Sequence, residues 1–255
     1  MANPVWGIIA LVFVFFCACC FAVIKGFMMI NRKRLIQNMP TSTVRSIAMG
    51  LVELKGKAVA AKETLTAPFS AKKCFRYWWI VEERREDKDG HEYWRTISSG
   101  SEGVPFYLQD ATGKVLISAE QAELDMPSTF QAGSGIGREP PAVVKQWLEK
   151  KGIKWSGWIF NKPLRYRESA IEAGSQLYIM GDATTNPDAK ESTDHTQSII
   201  IKKGRNKMFY ISTRDEKQIT RGLAIGGVLA IIFGCVFGLG TLLYVMFMAV
   251  SLIFH

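Results

Sequence analysis

The chain has 255 residues, 48% of them hydrophobic, and its 32 Lys and Arg against 23 Asp and Glu give a net charge of +9. All of these charges lie between Lys25 and Arg221, whereas residues 4–24 and 222–254 carry none. This distribution argues against one soluble domain. It predicts a polar domain between two membrane anchors, because an uncharged apolar run of about 18 residues or more can cross the hydrocarbon core as a helix.

Three segments follow from this pattern. We predict a first transmembrane helix over residues 4–30, a polar domain over 31–221 and a second transmembrane helix over 222–254. The first segment lacks the basic start of a secretory signal, so we expect a retained anchor. The second segment is long enough for one tilted helix, but it is shorter than the roughly 40 residues that two spans need. Gly234, Gly238 and Gly240 keep a kink or a re-entrant hairpin open as an alternative.

Glycines in the second apolar segment are spaced for helix packing. Gly222 and Gly226 are four residues apart, as are Gly234 and Gly238. Small residues at this spacing let transmembrane helices approach closely. The spacing predicts helix packing in a lipid membrane and a homo-oligomer.

Basic residues flank both apolar segments on the side of the polar domain. Lys25 and Arg32 follow the uncharged run 4–24, Arg214 and Arg221 precede the run 222–254, and no Lys or Arg lies on the terminal side of either run. The positive-inside rule therefore predicts a multi-pass protein of the cell inner membrane, with its polar domain in the cytoplasm and both termini outside.

The polar domain opens with a turn around Pro40 and then alternates strands with turns. Leu51–Ala60 alternates apolar and polar residues, which is typical of a strand, and Gly56 inside it indicates a β-bulge. Asp87–Gly90 has the composition of a hairpin turn. In chain order the strands predicted in this half are Leu51–Ala60, Cys74–Glu83, Glu92–Ser98, Val104–Gln109 and Lys114–Ser118.

The second half begins with a turn-rich loop, Asp125–Pro141, which leads into an amphipathic helix. Pro141 suits the start and Gly152 the end of a helix over Ala142–Lys151. Val143, Val144, Trp147 and Leu148 share one face of this helix. The remaining extended segments are Tyr166–Ala173, Gln176–Gly181, Ser198–Lys202 and Lys207–Ser212, the last two forming a hairpin around Gly204–Asn206 after a polar loop at Asn186–His195.

The order of these elements, seven or eight short strands with one helix among them, predicts the fold class. We expect a membrane protein in which two transmembrane helices flank a β-rich α+β domain. This domain would contain OB-like or Greek-key barrel elements and one amphipathic helix.

Catalytic and metal-binding residues are scarce in the polar domain. Cys74 is the single cysteine of this domain, so an internal disulfide is excluded. Together, Cys74, His91 and His195 are too few and too far apart in the sequence for a structural zinc site. A catalytic cysteine needs a base beside it, and Cys74 starts an apolar strand, so we expect a buried structural thiol. We predict no catalytic residue, no metal and no cofactor.

Two aromatic clusters leave alternatives open. Arg76-Tyr77-Trp78-Trp79 combines charge with aromatic rings and would suit base stacking in an OB-like groove, but neighbouring strand residues face opposite sides, so at least one of the two tryptophans belongs to a core. We therefore expect no nucleic-acid partner. Trp155 and Trp158 flank Gly157 and either meet a membrane interface or pack on the helix.

Four blocks of sequence together resemble a known family. Residues 39–58 (MPTSTVRSIAMGLVELKGKA), 104–115 (VPFYLQDATGKV), 166–181 (YRESAIEAGSQLYIMG) and 209–216 (FYISTRDE) are similar in order and spacing to the GIDE-type domain, also called the beside-a-membrane (BAM) domain. This domain is the non-RING part of mitochondrial membrane-anchored ubiquitin ligases and of their prokaryotic relatives. The resemblance covers about residues 5 to 245, including the two apolar segments.

The resemblance implies a connection to ubiquitin ligases, but the part of those proteins that carries the ligase activity is a different domain. In the eukaryotic members a RING, a cross-brace of Cys and His around two zinc ions, carries the ligase activity, and those residues are missing from the printed sequence. We therefore expect a RING-less relative of prokaryotic type, with a LemA-type membrane protein as a partner. The eukaryotic relatives place the domain in the intermembrane space, which implies an extracytoplasmic domain, against the charge argument.

Our principal hypothesis is a non-catalytic membrane scaffold or sensor whose β-rich domain binds a protein partner. The alternatives are an accessory component of a ubiquitin-ligase-like system, an unrecognised hydrolase, and a lipid- or nucleic-acid-binding OB-like module. The positions predicted to contact the partner, taken from the family blocks, are Thr41, Ser42, Arg45, Gly50, Asp110, Gly113, Glu168 and Arg214.

Overall fold

A computed structural model describes residues 4–158, 160–187, 189, 198–204 and 208–253. Most of the predicted loop Asn186–His195, including His195, and part of the turn at Gly204–Asn206 lie outside the described residues. The described elements are, in chain order, α1 (Pro4–Asn38), β1 (Thr41–Ser42), a 3-10 turn (Val44–Ser46), β2 (Gly50–Ala60), β3 (Leu65–Thr66), β4 (Lys73–Glu86), β5 (Glu92–Gly103), β6 (Phe106–Gln109), β7 (Lys114–Ile117), β8 (Glu123–Asp125), β9 (Phe130–Gly133), α2 (Ala142–Lys150), β10 (Leu164–Glu172), β11 (Gln176–Thr185), β12 (Ile199–Lys202), β13 (Tyr210–Ser212) and α3 (Glu216–Ile253).

The chain forms two compact units. The helical unit contains both terminal helices, Met1–Pro40 and Asp215–His255, and the β unit is Thr41–Arg214. Both α1 and α3 contain a stretch long and apolar enough to cross a membrane, by length and composition. The predicted class, two apolar helices flanking a β-rich domain, is confirmed. Because α3 is one continuous helix, the structure does not have the alternative hairpin.

In the helical unit the two helices pack through glycines. A Cβ added to Gly26 would stand 2.7 Å from the carbonyl oxygen of Gly227, and one added to Gly234 would stand 2.7 Å from that of Cys19. Of the glycines predicted to pack, Gly226, Gly234 and Gly238 lie against side chains of α1, and nothing lies within 4 Å of the Cβ position of Gly222. These glycines therefore pack two helices of one chain; self-association remains a prediction.

In the β unit, five strands close into a barrel. Their order is β2-β6-β7-β12-β11, and β11 pairs back with β2 over the register Gln176↔Lys57 to Ala183↔Gly50. Strands β7 and β12 are parallel, whereas the other pairs in the ring are antiparallel. The inward-facing residues, such as Leu54, Leu108 and Ile179, are completely buried. This closed ring confirms the barrel elements, OB-like or Greek-key, that the sequence predicts.

A second sheet of five strands remains open. Strand β4 is paired with β5 and β3 on one edge and with β10 on the other, and β9 continues the sheet beyond β10. One face of this sheet packs on α2 through a core that includes Val81, Tyr166, Val144 and Leu148. Trp79 joins this core at 9% exposure, whereas Trp78 on the opposite face is 37% exposed, as expected for neighbouring strand residues.

Several predicted details were wrong. Strands β12 and β13 do not form a hairpin, because both pair with the long strand β11, at Asp182–Thr185 and Tyr178–Met180 respectively. Gly56 lies in a regular ladder rather than a bulge; a Cβ there would clash with the carbonyl oxygen of Gln109 on β6, so its role is close approach. Of the residues predicted to share one face of α2, Val144 and Leu148 are buried, whereas Val143 is 44% exposed.

The sequence also missed strands. The region predicted as the loop Asp125–Pro141 contains β9, which pairs with β10. Strands β1, β3 and β8 have two or three residues each. Runs this short carry no visible periodicity, because alternation needs about four residues or more to be recognised.

Candidate functional site

Three of the predicted partner positions meet at one junction. The carboxylate of Asp110 accepts hydrogen bonds from the backbone N–H groups of Val44 (2.8 Å), Thr112 (2.7 Å) and Gly113 (3.0 Å). These bonds outweigh the opposing effect of burial and lower the pKa of Asp110. Arg45 donates its own N–H to the Thr112 hydroxyl. The junction ties the 3-10 turn to the β6–β7 turn, and its described contacts are internal.

The other predicted positions are dispersed. Thr41 donates to Glu53 at 2.7 Å, Ser42 is paired with Leu54, and Gly50 begins β2 with a φ of +110°. Glu168 is completely buried in the second sheet. An Arg214 amino nitrogen lies 3.7 Å from Asp125. The structure therefore does not collect the eight residues into one site, and their role in partner binding remains a prediction.

The candidate nucleophile Cys74 is completely buried in β4. Burial, with the charges of Glu168 and Glu172, raises the pKa of its thiol to about 11. His91 lies at the β4–β5 turn, where its backbone N–H donates to Asp87. Because the thiolate is the nucleophilic form, a completely buried thiol with a raised pKa fits a structural cysteine.

A cavity of about 430 Å³ lies on the face of the open sheet opposite α2. Arg76 and Trp78 of β4 form its floor, with Ser101 of β5 and Ser169 of β10 beside them, since both serines are paired with Trp78. The far wall is apolar and consists of Ala122, Leu124 and Met126. The cavity thus combines one cation, two hydroxyls and an apolar wall.

Arg76 is the charged group of this cavity. One of its amino nitrogens donates to the Glu120 carbonyl oxygen at 3.2 Å, and its Nε is buried without a hydrogen-bond partner. Within the part of the chain that the structure describes, no carboxylate lies at ion-pair distance from it. Burial lowers the pKa of Arg76, with the charge of Glu120 acting in the opposite direction. A guanidinium remains protonated in proteins, so the cavity presents a partly desolvated positive charge.

Strand β5 borders the same cavity and has a free edge. It is a 12-residue strand that pairs with β4 and with no other described strand. Its side chains are mostly exposed, among them Tyr93 at 46% and Trp94 at 41%. An edge strand presents a row of unpaired N–H and C=O groups, to which another extended segment can bind.

Sequence reasoning did not find this set of residues. Arg76 and Trp78 stand out in the sequence, but as a nucleic-acid patch, and the partners that define the cavity come from β5, β8 and β10. The pairing of Ser101 and Ser169 with Trp78 depends on sheet register, which local periodicity does not specify. The aromatic and charged composition of β4 was the one available signal.

These features define a class of protein: a β-rich unit, built of a closed barrel and an open sheet, joined at both ends to apolar helices long enough to cross a membrane. The family model GIDE, described as "E3 Ubiquitin ligase", matches residues 80–245, from within β4 to within α3. This match covers well over half of the chain, so the chain belongs to the GIDE family. No curated protein and no solved structure matches it.

The zinc ions of a RING do not fit the residues described. Among residues 4–158, 160–187, 189, 198–204 and 208–253, no group of three or more His, Cys, Asp or Glu side chains could hold a metal ion. The described cysteines are all free thiols, and four of the five lie in α1 and α3. We assign no step to a metal.

Proposed function

We propose that this chain is a non-catalytic recruiting component of a ubiquitin-ligase-type system, held at a membrane by α1 and α3. Its β unit would bind an extended segment of a partner protein. The observation that carries this proposal is the cavity around Arg76, with its unpartnered buried Nε, beside the free edge of β5. Membership in a family described as "E3 Ubiquitin ligase" supports the ubiquitin context.

The cavity and the edge suggest how a segment would be recognised. The backbone of the partner would pair along β5, which supplies affinity that is independent of sequence. An Asp or Glu side chain would accept charge-assisted hydrogen bonds from Arg76. An apolar side chain nearby would pack on Trp78, Leu124 and Met126. The expected partner segment is therefore extended, acidic at one position and apolar at a neighbouring one.

Site-specific photo-crosslinking in the full chain tests this function. A photoreactive amino acid at Ser101, on the cavity wall, should capture a discrete partner through a segment of that composition, identified by mass spectrometry. Arg76→Leu should lower the yield about tenfold or more, because hydrogen bonds to a charged group contribute roughly 1.5–3 kcal/mol. The matched control is Arg84→Leu, which removes an exposed arginine of the same strand.

Equal yields from Arg76→Leu and Arg84→Leu would overturn the assignment of the cavity. A crosslink to a second copy of this chain would replace recruitment with self-association. The ubiquitin context has a separate readout: the captured partner should carry more of an isopeptide-linked modifier with the unmodified chain than with Arg76→Leu.

We also propose that the β unit lies on the cytoplasmic side of the membrane. The clusters of Lys and Arg that flank both apolar helices support this side. A protease-cleavable tag inserted within residues 186–195 should be protected in intact cells and cleaved once the membrane is opened. Cleavage in intact cells would instead favour the extracytoplasmic side that the resemblance implies.

A further inference from the structure

Two adjacent turns of the β unit expose large apolar side chains. The turn 135–138 is closed by mutual backbone hydrogen bonds between Gly135 and Arg138, both 3.0 Å. Ile136 at its tip is 79% exposed. The second turn is a hairpin defined by the pairing of Ser156 with Asn161, and in it the N–H of Gly157 donates to the carbonyl oxygen of Phe160 (2.8 Å). Trp158 is 99% exposed and Phe160 is 59% exposed. We call Ile136, Trp158 and Phe160 the apolar tip.

The two turns are fastened to each other and to the core. The side-chain amide of Asn161 donates to the carbonyl oxygen of Arg138 at 3.2 Å, and the Ser134 hydroxyl donates to that of Lys162 at 3.0 Å. Trp155, at the base of the hairpin, packs against the core on α2, with Lys145 above its ring at 4.6 Å. The hairpin is thus rooted at Trp155, and Trp158 is held out from the folded surface.

The segment that carries the apolar tip is basic. Residues 134–162 contain Arg138, five lysines and only two acidic residues, a net charge of +4. Glu139, one of the two acids, already binds Lys145 at 3.1 Å. Among the cations nearest the tip in sequence, Arg138 and Lys154 are exposed.

An apolar tip carried on a basic segment with exposed Arg138 and Lys154 matches the chemistry of an anionic bilayer surface. Tryptophan prefers the membrane–water interface, where its ring is buried and its N–H stays hydrated. Each Lys or Arg near an anionic leaflet adds electrostatic attraction. The β unit is joined at both ends to helices apolar enough to cross a membrane. A bilayer is thereby kept at high effective concentration, which is the condition under which a weak lipid contact becomes populated.

We propose that the apolar tip inserts into the interfacial region of a bilayer containing anionic lipid, as a third point of membrane attachment besides the two helices. The proposal does not depend on the partner site around Arg76.

The test measures how deeply two labelled turns of the β unit enter the bilayer of vesicles made of phosphatidylcholine and phosphatidylglycerol. In the full chain, with Cys17, Cys19, Cys20 and Cys235 replaced by Ala, a bimane label is attached at Ile136→Cys. The matched control carries the label at Lys88→Cys, in the charged turn Asp87–Gly90. Nitroxide groups on the lipid acyl chains should quench the label at position 136 and leave the label at position 88 unaffected.

Two sets of variants sharpen the result. Trp158→Ser with Phe160→Ser should abolish the quenching at position 136. Arg138→Gln should lower the ratio of inserted to free tip about fivefold in anionic vesicles, whereas Arg84→Gln should leave it unchanged. Pure phosphatidylcholine vesicles should show weaker insertion. Protection of Cys74 from alkylation verifies that each variant is folded.

Equal quenching at positions 136 and 88 would overturn the proposal. This outcome includes the absence of quenching at both positions, which is expected if a protein rather than lipid covers the tip. Quenching that survives the double serine variant would also overturn it, because the label itself, and not the native side chains, would then be entering the bilayer.

Discussion

The barrel and the open sheet share one β unit but treat their strand edges differently. In the barrel, β11 pairs back with β2, so the ring has no free edge between these strands, and its inward residues are completely buried. In the open sheet, β5 pairs on one side only among the described strands, and its side chains are mostly exposed. In a closed barrel the backbone N–H and C=O groups of the strands are paired and the apolar side chains are buried. In an open sheet the edge strand leaves both kinds of group available to a partner.

The largest expected difference between the two regions is in core packing. Ile179→Ala, at a completely buried barrel position, should lower the free energy of unfolding by about 3 kcal/mol, because it removes transfer energy and leaves a cavity. Ile97→Ala on β5, where the side chain is 36% exposed, should cost below about 1 kcal/mol. Denaturant unfolding of the full chain in detergent, followed by tryptophan fluorescence, measures both. Similar losses would mean that β5 is as well packed as the barrel.

A second prediction concerns the buried carboxylate of the open sheet. Glu168 accepts hydrogen bonds from the Phe69 N–H (2.6 Å) and from the Ser70 hydroxyl (2.6 Å). Glu168→Gln should destabilise the protein by about 2 kcal/mol, since charge-assisted bonds to buried donors are weakened. The control is Glu172→Gln, which removes a partly exposed ion pair with Lys72 and should cost below about 1 kcal/mol. Were the two costs alike, Glu168 would not be organising the turn at Phe69–Ser70.

A smaller, pH-dependent effect is expected at Glu82. The Arg165 guanidinium donates to this carboxylate at 2.8 Å and, although burial acts against it, lowers the pKa of Glu82, with Arg167 contributing from 2.8 Å. Because the folded pKa lies below the unfolded one, the stabilisation is present at neutral pH and is lost as pH falls through the folded pKa.

Glu82→Gln should therefore cost about 1 kcal/mol near neutral pH, with the difference from the unmodified protein shrinking at acidic pH. Denaturant unfolding across this range provides the measurement. A difference that stays constant with pH would show that the ion pairs of Glu82 do not contribute to stability.

The smallest expected effect is on a reaction rate, the alkylation of Cys74. It tests whether the buried face of the open sheet is protected from solvent. Since the pKa of the Cys74 thiol is raised to about 11, only about one thiol in a thousand is ionised at pH 8, and the thiolate is the reactive form. Iodoacetamide should leave Cys74 unmodified in the native chain and modify it after denaturation, as peptide mass spectrometry would show. Equal modification in both states would mean that β4 opens readily.

Much of the fold is predictable from local pattern. The long strands β2, β4 and β11 and the helix α2 follow from alternation, aromatic content and the Pro141 and Gly152 boundaries. The pairing of β12 and β13 with β11 rather than with each other is not predictable in this way. A short turn favours a hairpin only if neither strand finds a longer partner strand. Here β11, with ten residues, is that longer partner for both β12 and β13.

The sequence by itself determined the layout of two apolar helices around a polar β-rich domain, because charge exclusion over long runs is a property of the chain that no partner alters. It also determined the GIDE family and the barrel class, through the order of strands and blocks. Only the tertiary structure decided which residues share a site. Arg76, Ser101 and Ser169 meet through sheet register, and the full exposure of Trp158 beside the packed Trp155 depends on a hairpin anchored by distant contacts. Such contacts form between residues far apart in the chain, where local periodicity carries no information.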